Sequence, residues 1–285
     1  MAGTKELRQR IKSIKNTSKV TKAMEMVSAA KMRRAQDQAT KGRRYSALMN
    51  DVLQHISTKI DLTSHPLLSR EKNEKQGILL ITTNRGLCGS LNSNLFKKSL
   101  DVTGNVSFIT LGKKGQVFVS RSAKPLAADF ELLDKPTLEF AGTITRFLTE
   151  AFLSNEFDKI HVIYTQFHST LKQEAIIRQL FPIIDLEIIN KLSDSSDLTV
   201  DEYLFEPSAD LVLEAILPHY ILMEIYQILL DSSASEHSAR MVAMKNASDN
   251  ASELVDDLTL AYNQVRQANI TNEILDISTA AIALN

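Results

Sequence analysis

Apolar side chains near both ends of the chain recur every three or four residues, the spacing of helices that pack lengthwise on a partner. The N-terminal row, which contains one phase slip, comprises Leu7, Ile11, Ile14, Val20, Met24, Val27 and Lys31. The C-terminal row comprises Met241, Met244, Ser248, Ala251, Val255, Leu258, Tyr262 and Val265. Because several of these side chains are small, two helix backbones can approach closely. The pattern predicts two long helices paired along a heptad-like seam.

Helix-breaking residues are nearly absent from the same two regions. Residues 4–57 contain Gly42 as their one breaker, and residues 219–285 contain neither glycine nor proline. At 1.5 Å per residue, helices of this length are rods of roughly 80 and 100 Å. Since ordinary helices have about 11 residues, rods so long must pack on each other rather than fold back onto a core.

The two ends also differ in charge. Residues 1–44 carry 13 basic and 3 acidic side chains, whereas residues 219–285 carry 3 basic and 9 acidic ones. Each exposed pair contributes only about 0.5 kcal/mol, but the sum favours antiparallel pairing of the two helices over self-association. The basic clusters lack interleaved aromatic residues and a zinc pattern, so we expect no nucleic acid partner.

The middle of the chain alternates between strand-like and helix-like segments. Predicted strands are GILLITT (77–83), VSFITLG (106–112), KIHVIYTQF (159–167) and EAIIRQLFPI (174–183), and predicted helices lie near Ser93–Leu100, Gly115–Ser120 and Thr137–Leu153. This alternation predicts a small, mostly parallel α/β sheet covered by helices. After it, Ser208 is a predicted N-cap, and Pro218 predicts a kink or break near Leu217.

The predicted fold is therefore a mixed α+β and α/β architecture. A long antiparallel coiled coil of the N- and C-terminal helices carries an inserted, Rossmann-like α/β domain. The expected division is residues 1–60 for the first helix, 75–206 for the inserted domain and 208–285 for the last helix.

The segment NRGLCGSLN (84–92) follows the first predicted strand, where open α/β sheets bind ligands. It matches neither the dinucleotide fingerprint nor the phosphate loop of NTPases. Cys88 as a nucleophile needs a nearby base, and the six histidines show no motif spacing for one or for a metal site. A contact loop with exposed Arg85 is favoured. An α/β enzyme that uses Cys88 and a generic coiled-coil scaffold remain the alternatives.

Two further features bear on location. A single cysteine excludes an internal disulfide and is typical of a reducing compartment. No secretory signal is visible, and no apolar run approaches the roughly 18 residues of a membrane span. We expect a soluble protein, which could still sit on a membrane complex.

Four segments resemble the gamma subunit family of F-type ATP synthases, and the resemblance spans the whole chain. They are NTSKVTKAMEMVSAAKMRRAQ (16–36), TTNRGLCGSLNSNLF (82–96), EHSARMVAMKNASDNA (236–251) and LAYNQVRQANITNEILDI (260–277). The stretch KAMEMV looks bacterial. One departure is Ala280–Ala281, where the family has a Gly-Ala pair.

The resemblance implies a rotary central stalk. It implies a shaft inside a hexamer of three alpha and three beta subunits, with the α/β domain and the epsilon subunit on a membrane ring of c subunits. Proton flow would turn the ring and the shaft, and the shaft would regulate ATPase activity and proton flow. The chain would bind no nucleotide, cofactor or metal and perform no catalysis. It would be peripheral, on the cytoplasmic face of the bacterial plasma (inner) membrane, and would meet the membrane only through the c ring.

The resemblance also implies roles for individual residues. Expected contacts with the beta subunit are Met24, Arg85, Gly86, Leu87, Cys88, Arg240, Arg266, Gln267, Thr271 and Glu273. Ile277, Ala281 and Leu284 would form an apolar tip that turns in a sleeve. Tyr203, Phe205 and Glu206 would meet epsilon and the c ring.

Overall fold

The fold consists of two long helices and a sheet domain between them in sequence. The computed structural model describes residues 2–57, 65–68, 74–183 and 205–283. The elements are α1 (Ala2–Ser57), β1 (Lys75–Ile81), α2 (Leu91–Leu100), β2 (Asn105–Leu111), α3 (Lys113–Arg121), β3 (Leu126–Phe130), α4 (Leu138–Leu153), β4 (Lys159–Phe167), β5 (Gln173–Phe181) and α5 (Ala209–Ala283).

The chain groups into two compact units. Unit 1 comprises Met1–Ala29 and Arg240–Asn285, and unit 2 comprises Ala30–Ala239. Each unit therefore contains part of α1 and part of α5. The division of the sequence into 1–60, 75–206 and 208–285 stays a prediction.

The two long helices form the predicted antiparallel coiled coil. In unit 2 the Tyr45 hydroxyl lies 2.8 Å from His219 Nε2, and a Cβ placed on Gly42 would meet the side chain of Gln227. The residue numbers in α5 thus fall as those in α1 rise. In unit 1 the hydroxyl oxygens of Ser18 and Ser248 lie 3.5 Å apart across the seam.

The phase slip predicted for α1 is wrong. Val20 and Val27 are 59% and 57% exposed. Ser18, Thr21 and Ser28, with Glu25 between the last two, instead continue the row begun by the leucine and isoleucines at intervals of four and three, and all of them are half-buried or buried. The search for apolar residues missed these seam positions because several of them are small hydroxyl side chains. Small side chains let the two helices approach closely.

The predicted seam of α5 is confirmed over its first part. Met244, Ser248, Ala251 and Val255 are at most 9% exposed in unit 1. Further along, Val265 is 36% exposed. The buried seam therefore fades toward the C-terminal end of α5.

Unit 2 contains a five-stranded sheet in the order β3-β2-β1-β4-β5. β1 pairs in parallel with β2 and β4, and β2 pairs in parallel with β3. β5 returns antiparallel to β4. The small, mostly parallel sheet and all four predicted strands are confirmed.

The edge strand β3 was not predicted. Its sequence, LAADF, has two alanines and an aspartate, and all five of its residues are exposed or half-buried. A short strand with one neighbour needs no strongly apolar run, so its sequence carries little strand signal. It is recognisable only from its pairing with β2.

The sheet of unit 2 is buried on both faces. On one face Leu79 and Ile81 of β1 join a core that includes the stacked rings of Phe152 and Phe181, whose centroids are 5.0 Å apart. On the other face Ile78 and Leu80 pack in a second cluster. A parallel strand covered on both sides reads as a continuous apolar run, which is why β1 was predictable.

Of the kink or break expected near Leu217, the break is wrong, because α5 continues through Pro218, and the kink stays a prediction. Pro218 and Glu214 are both exposed, so water can bond the Glu214 carbonyl that loses its helical partner. On the opposite side Leu217 and Ile221 are at most 2% exposed and hold the helix on the core. The predicted cap is confirmed, since Leu211 N donates to Ser208 Oγ at 3.4 Å.

By length and composition alone, α5 includes an 18-residue stretch apolar enough for a membrane span. The expectation that no segment approaches that limit was therefore too strict. Ile225, Ile228 and Leu229 of α5 are at most 2% exposed within unit 2. A helix that lines a protein core passes the same test of length and composition, so this stretch is weak evidence for a span.

Candidate contact surfaces

The loop after β1 begins with a buried hydroxyl in the place where open α/β sheets bind ligands. Thr82 Oγ1 donates to the carbonyls of Leu111 and Gly112 at 3.0 and 3.1 Å, and Gly115 N donates to it at 2.8 Å. A Cβ on Gly112 or Gly115 would collide with Thr82. These glycines therefore serve close packing of the chain on itself rather than a phosphate cradle.

Two asparagines fix the shape of the following loop. Asn92 Nδ2 donates to Thr83 Oγ1 at 2.8 Å and to Cys88 Sγ at 3.4 Å. Asn84 Nδ2 donates to the Leu132 carbonyl at 2.7 Å, and Lys113 N donates to Asn84 Oδ1 at 3.3 Å. The loop is thus tied to its neighbours on both sides.

Cys88 lies inside the domain. It is 3% exposed and packs with apolar side chains that include Leu91, Leu95 and Phe108. Burial of this kind keeps a thiol away from substrates and reagents, which argues against Cys88 as a nucleophile. Among the residues that the structure describes, no three His, Cys, Asp or Glu side chains group in a way that could hold a metal ion.

The large outward-facing side chains of this loop are Arg85 and Leu87, and the small side chain of Ser90 is exposed beside them. Arg85 is exposed, and Leu87 is 61% exposed with a φ of 64°. Gly86 is half-buried. A contact made by this loop therefore uses Arg85, Leu87 and the main chain, while Cys88 supports them from below.

A charged group beside the loop links the segment after β3 to α1. Lys31 Nζ donates to Asp134 Oδ2 at 3.2 Å. This hydrogen bond and the Lys31 charge hold the pKa of Asp134 below its usual value, with weaker help from Arg85 and His237. Since the Asp134 side chain is 79% exposed, solvent screens the pair and its stabilising effect is small.

The sites predicted on the long helices differ in exposure. Met24 is half-buried, and Arg266, Gln267, Thr271 and Glu273 are exposed. Arg240 is only 8% exposed, so it is not an ordinary solvated helix position. Their contacts with a beta subunit stay predictions.

The sites predicted just before α5 and at its C-terminal end lie only partly within the described residues. Ile277 is 70% exposed. The side chain of Ala281 and all of Leu284 and Tyr203 lie outside the described residues. Phe205 packs against the main core of unit 2, and Glu206 is exposed.

Sequence reasoning missed a polar junction between α5 and the β4–β5 hairpin. Ser235 Oγ donates to the Thr165 carbonyl at 3.1 Å, and Ser238 Oγ donates to the Thr170 carbonyl at 2.8 Å. Arg178 Nη1 lies 2.7 Å from Glu224 Oε2. The signal was the serine-rich stretch DSSASEHS (231–238) in an otherwise apolar helix.

Similarity to known proteins extends over the whole chain. A family model described as ATP synthase matches residues 3–284. The ATP synthase gamma chain of Methylacidiphilum infernorum is 44% identical over 292 aligned positions and covers 100% of both chains. That of Opitutus terrae is 42% identical over 291 positions and covers 99% of both.

Solved structures share the fold. A chain of the Euglena gracilis mitochondrial ATP synthase, in its OSCP/F1/c-ring structure, matches with a TM-score of 0.69 at 18% identity, over 99% of this chain and 95% of that one. A chain of the central stalk and c-ring structure from Tetrahymena thermophila matches with a TM-score of 0.61 at 23% identity, over 80% and 99%. With relatives above 40% identity along its whole length, the chain belongs to the gamma chain family of ATP synthases.

Proposed function

We propose that this chain works as the rotary central stalk of a proton-translocating F-type ATP synthase. It transmits torque between a membrane ring of c subunits and a catalytic hexamer of three alpha and three beta subunits, and it regulates ATPase activity and proton flow. It is a non-catalytic subunit. The observation that carries the proposal is identity above 40% to ATP synthase gamma chains over the full length of both chains.

The long helices suit this role mechanically. α1 has 56 residues and α5 has 75, each without interruption. Main-chain hydrogen bonds, with the one gap at Pro218 in α5, therefore carry a twist along each helix. The small side chains in the seam of unit 1 let its two helices lie close together. A slim pair of helices suits a shaft that turns inside the central bore of the hexamer.

The beta-subunit contacts divide into two groups. In unit 2 they come from the loop of Arg85, Gly86 and Leu87, with Cys88 beneath it. In unit 1 they are Met24, Arg240, Arg266, Gln267, Thr271 and Glu273. The exposed α5 side chains are free of the seam and available to a surrounding subunit, so transient polar bonds can form and break as the stalk turns.

The remaining contacts lie at the ends of α5. Ile277, 70% exposed, begins an apolar tip with Ala281 and Leu284 that a sleeve of apolar residues would cover. Tyr203, Phe205 and Glu206 precede α5 and contact the epsilon subunit and the c ring. The complex is associated with the plasma membrane, and we place this chain on its cytoplasmic face.

Reconstitution tests the proposal directly. Purified alpha and beta subunits are mixed with and without this chain, and complex formation and ATPase rate are measured. We expect a complex with three alpha, three beta and one copy of this chain, and a large increase in ATPase rate. A chain that joins no such complex, and instead gathers other partners, would be a coiled-coil scaffold without rotary function.

A further inference from the structure

We propose that torque passes between the sheet domain (residues 75–181) and the shaft through the polar junction, in which Glu224, Ser235 and Ser238 of α5 bond to the β4–β5 hairpin. This inference rests on the proposed function. It gives these three residues a positioning role, since they fix the angle of α5 relative to the sheet. α5 continues from unit 2 into unit 1, so a twist that enters it at the junction is carried along the shaft.

The two serines of the junction are tied to the hairpin inside the domain. Ser235 Oγ donates to the Thr165 carbonyl at 3.1 Å, and Ser238 Oγ donates to the Thr170 carbonyl at 2.8 Å. Gln173 Nε2 in turn donates to Ser238 Oγ at 3.3 Å. Both serines are fully buried. Water therefore does not compete for these hydrogen bonds, and the low local polarity strengthens them.

The acidic member of the junction lies nearer the start of α5. Arg178 Nη1 of β5 lies 2.7 Å from Glu224 Oε2, and the Glu224 side chain is only 14% exposed. Its surroundings are largely dry, because burial raises the pKa of the neighbouring Tyr164 to about 12 although Arg178 acts in the opposite direction. A short, charge-assisted bond between a guanidinium and a carboxylate has a well-defined geometry. This pair therefore holds α5 in one orientation.

The three α5 residues lie on one side of the helix. With 3.6 residues per turn they fall within about 60° of one another around the axis, and they span about 21 Å along it. Bonds at separate heights on one side oppose both rotation of the helix about its axis and tilting. Apolar packing opposes rotation less, since the hydrophobic effect has no direction, whereas a hydrogen bond weakens steeply when its angle changes.

The hairpin that receives these bonds is firmly part of the sheet. β4 and β5 pair from Ile160 with Phe181 to Phe167 with Gln173. β4 also pairs in parallel with β1. A force that turns the sheet domain therefore moves the hairpin with it, and the hairpin delivers that force to α5.

The position of the junction along α5 avoids the weak point of the helix. Pro218 removes one main-chain hydrogen bond from α5. All three junction residues follow Pro218, and residues 219–285 contain neither glycine nor proline. A twist that enters α5 at the junction thus travels toward unit 1 without crossing the gap.

The helix α1 has a weaker connection to the same domain through Lys31. Lys31 Nζ donates to Asp134 Oδ2 at 3.2 Å, but the Asp134 side chain is 79% exposed. Solvent screens such a pair, and exposed side chains reorient easily. We therefore infer that α5, rather than α1, receives most of the torque through polar contacts.

Angular fluctuation of single complexes measures how stiffly the sheet domain is joined to the shaft. The alpha/beta hexamer is immobilised, and a nanorod is attached to Leu100→Cys on α2. Cys88 is 3% exposed and does not compete for the label. The spread of the rod angle is recorded while the complex pauses at limiting ATP. We expect a wider spread when Ser235→Ala and Ser238→Ala are combined, because one contact of the junction then remains.

Two single variants serve as controls. The buried Ser232 hydroxyl has no hydrogen-bond partner in the part of the chain that the structure describes, so Ser232→Ala should leave the spread unchanged. Asp134→Asn removes the pair with Lys31 and should also leave it unchanged. A merely structural role for the serines would lower the yield of assembled complexes but would not widen the spread in those that rotate.

Exchange of the two charges tests the Glu224 contact independently. Glu224→Arg should widen the spread, and adding Arg178→Glu should narrow it again, because the pair is restored with opposite polarity. If the double serine variant does not assemble, this exchange decides, and absence of rescue would overturn the inference. A double serine variant as stiff as wild type, or an equal widening by Asp134→Asn, would also overturn it. A wild-type complex whose rod never rotates with ATP would instead overturn the proposed function.

Discussion

The two units use the same two helices in opposite ways. In unit 2, large side chains of α1 and α5, such as Leu53, Ile56 and Leu217, are fully buried against the sheet. In unit 1 small side chains such as Ser28, Ser248 and Ala251 are buried beside Met244 and Val255, and other large side chains such as Leu260 remain 62% exposed. Since apolar area removed from water drives folding, stability is concentrated in unit 2. Unit 1 instead keeps apolar surface available for partner subunits.

The core of unit 2 is where a substitution should cost most. Phe181 is fully buried and stacks on Phe152. Phe181→Ala leaves a cavity and should lower the free energy of unfolding by about 3–5 kcal/mol. Urea denaturation followed by circular dichroism measures the loss. A loss below 1 kcal/mol would mean that this core is not the main source of stability.

The next largest loss of folding stability is expected at the carboxyl end of the strands, where the loops after β1 and β2 pack against each other. Gly112 has a φ of 93°, and a Cβ there would meet the Thr82 carbonyl. Gly112→Ala should cost about 2–4 kcal/mol, because backbone strain and a clash add. The matched control is Gly86→Ala, since no heavy atom of the described part of the chain, beyond the adjoining residues, lies within 4 Å of the added Cβ. Equal losses for both variants would contradict this account of the loop.

The polar junction in unit 2 should have a smaller but specific effect. Ser235→Ala and Ser238→Ala each remove a buried hydrogen bond to a carbonyl and should each cost about 1–2 kcal/mol. Ser232 provides the control, because its buried hydroxyl has no hydrogen-bond partner among the residues that the structure describes. Denaturation of the three single variants tests this, and a Ser232→Ala variant as unstable as the others would rule the junction out.

Loss of an apolar group from unit 1 should lower the free energy of unfolding less than the same kind of loss from unit 2. Val255 is 9% exposed in the seam, and Val255→Ala removes two methyl groups at a place where the helices can close up. We expect about 1 kcal/mol, measured by the same denaturation. A loss as large as that of Phe181→Ala would mean that the two units contribute alike.

The smallest expected effect depends on pH. Burial, with help from Lys159, lowers the pKa of His161 below 6.5 in the folded state. The unfolded chain therefore binds the proton more readily, so stability is full above pH 6.5 and falls as pH drops from there toward the folded pKa. His161→Gln should flatten this part of the stability profile. A profile in which wild type and variant fall in parallel would exclude His161 as the cause.

Much of this architecture could be predicted from the sequence, for identifiable physical reasons. Breaker-free stretches predicted the two long helices, and the apolar run around Leu79 predicted a strand buried on both faces. The strand β3 was missed because an exposed edge needs little apolar character. The seam at Ser18 and Ser28 was misread because packing there depends on side-chain size, which hydrophobicity does not report.

The contact sites were less predictable than the fold. Exposed Arg85 could be anticipated from the polar loop that follows β1, but burial of Cys88 and Arg240 depends on tertiary packing that spacing does not encode. The hydrogen bond between Ser238 and Thr170 of the hairpin joins residues 68 positions apart. Only the folded chain brings such groups together.

Direct observation of rotation is the most decisive test of the central claim. The alpha/beta complex is immobilised, and a nanorod is attached to Leu100→Cys, an exposed position on α2. If this chain is a rotary stalk, ATP should drive unidirectional rotation of the rod, and rotation should stop when ATP is removed. ATP hydrolysis that continues while the rod stays still would contradict the claim.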